Sequence, residues 1–131
     1  MDEPVWLNRT IIEAIHADQI REHGGRPGLR DAAVLESALA RARQRWTYEP
    51  SSTLPRLAAE YGFGLVKGHP FVDGNKRAAF SAMNVFLLLN GSEIEAPEPE
   101  VVDVMVRLAA GELDADGLAD WLASVVVAGG G

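Results

Sequence analysis

At 131 residues, 47% of them hydrophobic, the chain has the size and composition of one folded domain rather than of a disordered or collagen-like segment. Twelve Lys and Arg against nineteen Asp and Glu leave a net charge of −7, which argues against a general nucleic-acid-binding surface. The absence of cysteine excludes disulfides, Cys-ligated zinc, iron–sulfur clusters and thiol nucleophiles together.

Hydrophobic periodicity predicts a first helix over Asn8–His23, with Ile11/Ile12, Ile15/His16 and Ile20 on one face; Gly24-Gly25 ends it. Asp31 is a candidate N-cap for a second helix reaching about Gln44, buried through Val34, Leu35, Ala38, Leu39 and Ala42. Arg41, Arg43 and Arg45 near its end read first as a solvated, dipole-favoured helix terminus and second as a phosphate or partner site, with Trp46 and Tyr48 anchoring the next loop. Pro55 opens a third helix running to about Lys67, in which Gly62 and Gly64 imply close approach by another helix.

The pattern breaks at Gly68–Gly74 and resumes over Asn75–Leu89, with Gly91 as the stop signal. A fifth helix ends near Gly111, and a sixth spans about Asp116–Val127, followed by a flexible glycine tail, 129–131. The expectation is an all-α bundle of about six helices over residues 1–128. No apolar run is long enough to cross a bilayer, and Asp2 and Glu3 stand where a secretion signal would be basic, so a soluble cytoplasmic protein is expected. Charge is unevenly divided: residues 1–89 carry eleven bases and ten acids, whereas 90–131 carry Arg107 and nine acids. Anion chemistry therefore belongs to the first two-thirds, and the acidic remainder reads as solvated scaffold or as a surface for a basic partner.

Chemistry concentrates in Gly68-His69-Pro70-Phe71-Val72-Asp73-Gly74-Asn75-Lys76-Arg77, between the third and fourth helices. His69 is the acid/base candidate, because a neutral imidazole accepts a proton near neutral pH. Asp73 supplies a hard oxygen ligand suited to Mg²⁺, which commonly touches nucleotide phosphates as well. Gly74 permits a tight backbone path, N–H groups opening the fourth helix can face anionic oxygens, and Lys76 and Arg77 add countercharge. Asn75 either donates its amide to phosphate or caps the helix; Phe71 packs beneath the loop. The glycine spacing is not that of a Walker A loop, the kinase catalytic-loop and metal-loop signatures are absent, and His16 and His23 lack His-Glu-x-x-His spacing, leaving them structural or surface roles.

His69-Pro70-Phe71-Val72-Asp73-Gly74-Asn75-Lys76-Arg77 resembles the signature of the Fic/Doc family, in particular its death-on-curing toxin branch, and Gly24–Asp31 resembles that branch's loop after the first helix. The resemblance implies a compact Fic/Doc bundle with the active loop between its third and fourth helices. It implies a toxin kinase that uses ATP and Mg²⁺ to phosphorylate a threonine of translation elongation factor Tu and so arrests translation. His69 would accept the hydroxyl proton, Asp73 would hold Mg²⁺, and Gly74, Asn75, Lys76 and Arg77 would bind phosphate. The AMP-transferring members of the family commonly carry glycine where this chain has Lys76 and arginine where it has Phe80, a difference that favours γ-phosphoryl transfer. AMP or nucleotidyl transfer is the enzymatic alternative, and a silent antitoxin-binding regulatory module is the non-enzymatic one. A Ser/Thr-x-x-x-Glu-Gly/Asn autoinhibitory motif is absent from the sequence, so the resemblance implies inhibition by a cognate antitoxin whose segment folds on binding, with the Trp46/Tyr48 region as one candidate contact.

Overall fold

The computed structural model describes residues 2–129 and contains six helices and one small ribbon. In chain order these are α1 (Arg9–His23), α2 (Ala32–Tyr48), α3 (Leu54–Gly68), α4 (Asn75–Leu89), β1 (Ser92–Ile94), α5 (Glu98–Ala109), α6 (Ala115–Val125) and β2 (Val126–Ala128). The expected all-α bundle of six helices is found. Side-chain caps fix four of the helix starts: Asn8, Asp31, Thr53 and Asp114 accept from the N–H groups of Ile11, Val34, Arg56 and Gly117.

α3 is the axis of the bundle and packs against α2, α4 and α6. It is buried nearly all round, through Leu57, Ala58, Ala59, Tyr61, Leu65 and Val66. Such a helix must let its neighbours approach closely, and its glycines do so. A Cβ on Gly62 would stand 2.4 Å from Met83 Sδ of α4, and one on Gly64 would stand 3.2 Å from the Ala38 Cα of α2. Phe86, Tyr61 and Trp6 form an aromatic cluster at one end, where the Leu7 N–H donates to Tyr61 Oη and Trp46 meets Trp6 edge to face.

Two differences from the sequence reading have physical causes. The sixth helix stops at Val125, and Val126–Ala128 pairs antiparallel with Ser92–Ile94, because consecutive β-branched valines favour extended backbone once a partner strand is present. Gly129, assigned to a flexible tail, donates to the Gly91 carbonyl at 2.8 Å; Gly130 and Gly131 lie outside the described residues. The arginine run at the end of α2 is not a uniformly solvated terminus. Arg41 and Arg45 turn toward the buried Glu60, while exposed Arg43 lies over the Trp6 ring. Trp46 packs against the core, whereas Tyr48 is 86% exposed. No helix among the described residues is long and apolar enough to cross a membrane.

Candidate active site

The loop between α3 and α4 is built by a forced stop and a forced start. Pro70 disfavours helical backbone at the residue before it, and α3 ends with His69 in the left-handed region at φ 49°, ψ 56°. His69 is the one non-glycine residue with positive φ among the described residues, a conformation that costs about 1–2 kcal/mol for an L side chain. Arg30 holds it there: its guanidinium donates to the His69 carbonyl at 2.6 Å and to the Gly68 carbonyl at 2.8 Å. The strained cap leaves the imidazole exposed to solvent at the loop's edge.

The next residues are knitted to the segment that follows α1. The N–H groups of Arg30 and Asp31 donate to the Pro70 carbonyl, Val72 N–H donates to the Gly28 carbonyl, and Leu29 and Phe71 form a short antiparallel bridge. Phe71 is buried as expected. The Asn75 side chain closes a ring on it, accepting from the Phe71 N–H and donating to the Phe71 carbonyl, each at 3.0 Å. The oxygen and one of the two N–H donors of that amide are thus committed to the loop.

Asp73 is exposed, and each of its oxygens accepts one backbone N–H. Oδ2 takes that of Arg26 at 3.1 Å, and Oδ1 takes that of Gly74 at 2.9 Å. These bonds, led by that from Arg26, and the nearby Arg77 and Arg26 charges hold its carboxyl below the usual carboxylate range. Gly25 lets the first loop press against this group, since a Cβ there would stand 2.9 Å from Asp73 Oδ2. A single hard carboxylate with further lone pairs free suits a Mg²⁺ ion that shares its remaining positions between phosphate oxygens and water. Among the described residues no group of three or more acidic or histidine side chains could form an all-protein metal cage.

α4 begins at Gly74, whose left-handed backbone (φ 74°) supplies no side-chain cap. Its first turn carries no acid but two exposed cations, Lys76 and Arg77, the reverse of what the helix dipole favours. Neither forms an ion pair among the described residues. Uncapped N–H groups, a positive dipole end and two cations are the features by which a helix start attracts anions. A groove of about 630 Å³ runs from Lys76 and Arg77 past Phe80 to Val102 and Val106 of α5.

The structure therefore brings His69, Asp73, Gly74, Lys76 and Arg77 to one exposed loop and helix start, with Asn75 turned beneath them. Sequence reasoning missed Arg30 as the clamp on His69 and Arg26 as a partner of Asp73. Both lie in Gly24–Asp31, whose run of glycines was the available signal.

The family model described as the Fic/DOC family matches residues 6–87. The chain is 35% identical over 109 residues to "Protein kinase doc" of Escherichia phage P1, covering 83% of this chain and 86% of that protein. It is 34% identical over 110 residues to "Toxin Doc" of Mycolicibacterium smegmatis, covering 80% and 83%. Among solved structures, the N-terminal Fic domain of a VirB-translocated Bep effector from Bartonella quintana, with bound ADP, superposes with a TM-score of 0.50 at 15% identity over 82% of this chain. A second structure of that domain gives 0.51 at 17% over 83%. The chain spans about half the length of those solved chains, 54% and 53%.

Proposed function

The chain belongs to the Fic/DOC family and is homologous to its Doc toxins, and from that premise we propose that it transfers a phosphate-bearing group of ATP to a protein hydroxyl. The observation that carries this reading is the uncapped, doubly cationic start of α4 beside an exposed imidazole and an exposed carboxylate. Our first assignment is γ-phosphoryl transfer to a threonine of translation elongation factor Tu, with arrest of translation as the outcome. Position 80 is phenylalanine, so no cation there holds a distal phosphate in the orientation suited to AMP transfer. The kinase named in the P1 relative supports the same choice.

The N–H groups of Asn75, Lys76 and Arg77, with the last two side chains, hold the polyphosphate. Arg77 can grip two oxygens of one phosphate through its planar fork, whereas Lys76 acts as a point charge. Asp73 would hold Mg²⁺, which supplies charge neutralisation on the phosphates when bound. His69, whose ring has no hydrogen-bond partner among the described residues, accepts the proton as the threonine oxygen bonds to the γ-phosphorus; the bridging oxygen leaves on ADP with the electron pair. Placement and electrostatics carry most of the barrier reduction in such a transfer, which suits a domain this small.

Transfer of AMP is the second reading. It is supported by the fold shared with a domain solved with ADP, and by helix-start N–H groups that serve an α-phosphate as well as a γ-phosphate. As a Doc homologue, the chain takes an antitoxin as its regulatory partner, and the α4–α5 groove beside Arg77 is our candidate seat for that partner's folding segment.

Intact-mass analysis of elongation factor Tu after incubation with Mg-ATP and the protein decides the reaction. A phosphate-sized increment, lost with His69→Ala, is expected. An adenylyl-sized increment would replace the kinase assignment by the second reading, and an unmodified factor would remove this substrate.

A further inference from the structure

His16 of α1 is 5% exposed, and it touches the active loop in three places. Its Nε2 lies 2.7 Å from the Asp73 carbonyl oxygen. Its ring stacks on Phe71 at a centroid distance of 3.8 Å with 4° between planes. Its edge stands 3.7 Å from where a Cβ on Gly74 would be. A buried histidine at this spacing in a helix could serve packing alone, but the hydrogen bond has a directional consequence.

A carbonyl oxygen can only accept, so Nε2 carries the proton and donates it. The peptide between Asp73 and Gly74 is trans, like every peptide bond described, so its C=O and N–H point in opposite directions. Drawing the carbonyl inward to His16 therefore turns the Gly74 N–H outward, where Asp73 Oδ1 receives it. The same carboxylate is steadied on its other oxygen by Arg26 N–H. One buried imidazole thus sets the peptide plane that orients the carboxylate and launches α4.

We propose that His16 is a positioning residue, acting through the Asp73–Gly74 peptide to fix the Asp73 carboxylate and the anion-facing start of α4. This rests on the reading of Asp73 as the Mg²⁺-holding group, and it assigns a task to a side chain 57 positions away in sequence. Outer partners that orient a metal-binding group typically change metal affinity about 10–100-fold when removed.

Two substitutions separate hydrogen bonding from packing. His16→Phe keeps a flat ring on Phe71 and removes the donor; His16→Gln keeps a donor and removes the ring. The readouts are the Gly74 amide resonance and its exchange rate in metal-free protein, and the Mg²⁺ and ATP dependence of the reaction. His16→Phe is expected to shift and deprotect the Gly74 amide and to raise the half-saturating Mg²⁺ concentration about 10-fold or more, with His16→Gln restoring most of both. The reverse order, Phe tolerated and Gln damaging, would reduce His16 to packing and overturn the proposal. Should His16→Phe fail to fold, the wild-type protein still decides: a slowly exchanging Nε2 proton coupled to the Asp73 carbonyl supports the proposal, and a freely exchanging one overturns it. A wild-type protein that binds neither Mg²⁺ nor ATP would undo the proposed function, while the amide readouts would still judge His16.

Discussion

Asp73 combines full exposure with an acid-shifted carboxyl, because two backbone N–H groups, Arg26 before Gly74, meet its oxygens in the folded chain and not in the unfolded one. A carboxyl lowered by folding contributes stability above its unfolded value, and that contribution is lost as pH falls through the folded value. In a carbon-13 titration, Asp73 should protonate at lower pH in the folded protein than in the urea-unfolded chain; coincident midpoints would show that the two loops are not clasped. Arg30 is the companion case. Replacing it with Ala frees the carbonyls of Gly68 and His69 and removes what holds His69 left-handed, so turnover should fall about 10–100-fold, as misplacement near an angstrom does. The loss of these charge-assisted bonds should lower stability by about 1–2 kcal/mol in urea unfolding. The candidate base, carboxylate and cations were legible in one ten-residue run, because their chemistry is local. The clamps on them were not: Arg30 lies 39 positions from His69 and His16 lies 57 from Asp73, and no periodicity encodes a contact between a helix face and a distant carbonyl.

Among the elements, α4 is the one whose first turn is built against its own stability, as the proposed phosphate-binding role requires. Arg77 sits in a first turn that would favour an acid, at a cost of about 0.3–1 kcal/mol from the dipole. Arg77→Gln should therefore raise the unfolding free energy of the ligand-free protein by about that amount. By removing a charge-assisted, two-pronged grip on phosphate worth about 1.5–3 kcal/mol, it should also weaken ATP binding about 10–100-fold by calorimetry. If stability and binding fall together, the residue is structural. α3 is constrained from the opposite side, by packing. Ala at position 64 would gain about 1 kcal/mol in an open helix, but here its methyl meets the backbone of Ala38, which cannot step aside. Gly64→Ala should thus destabilise by up to about 2 kcal/mol net, since inserting a carbon into a packed contact costs about 1–3 kcal/mol. Gly62 and Gly64 were readable as a close approach; which helices made it was not, because spacing gives a face and not its partner. The β1–β2 ribbon was missed for a related reason: three residues on each side become strands only when the other side is present.

At the scale of the whole molecule, three helices are joined by a charge network that the sequence displayed as separate pieces. Glu60 on α3, its side chain 6% exposed, faces Arg41 at 2.8 Å and Arg45 at 3.7 Å from α2, and Arg56 at 3.6 Å on α3 itself. Arg56 reaches on to Asp116 of α6 at 2.6 Å, so an acid of the strongly negative C-terminal third offsets the surplus of arginine in the core. The buried ion is the Glu60 carboxylate, and the three guanidinium groups, each still reaching solvent, offset its desolvation cost. Glu60→Gln preserves shape and removes only charge, and it should cost about 1.5–3 kcal/mol, the range for charge-assisted bonds, out of the roughly 5–15 kcal/mol by which such domains are stable. The exposed Arg9–Glu13 pair on α1 supplies the comparison: Glu13→Gln should change stability by about 1 kcal/mol or less, and added salt should erase even that. Urea unfolding of both variants at low and high salt separates the two regimes. Equal, salt-sensitive losses would mean that water reaches Glu60, and that α2, α3 and α6 are held together by apolar packing alone.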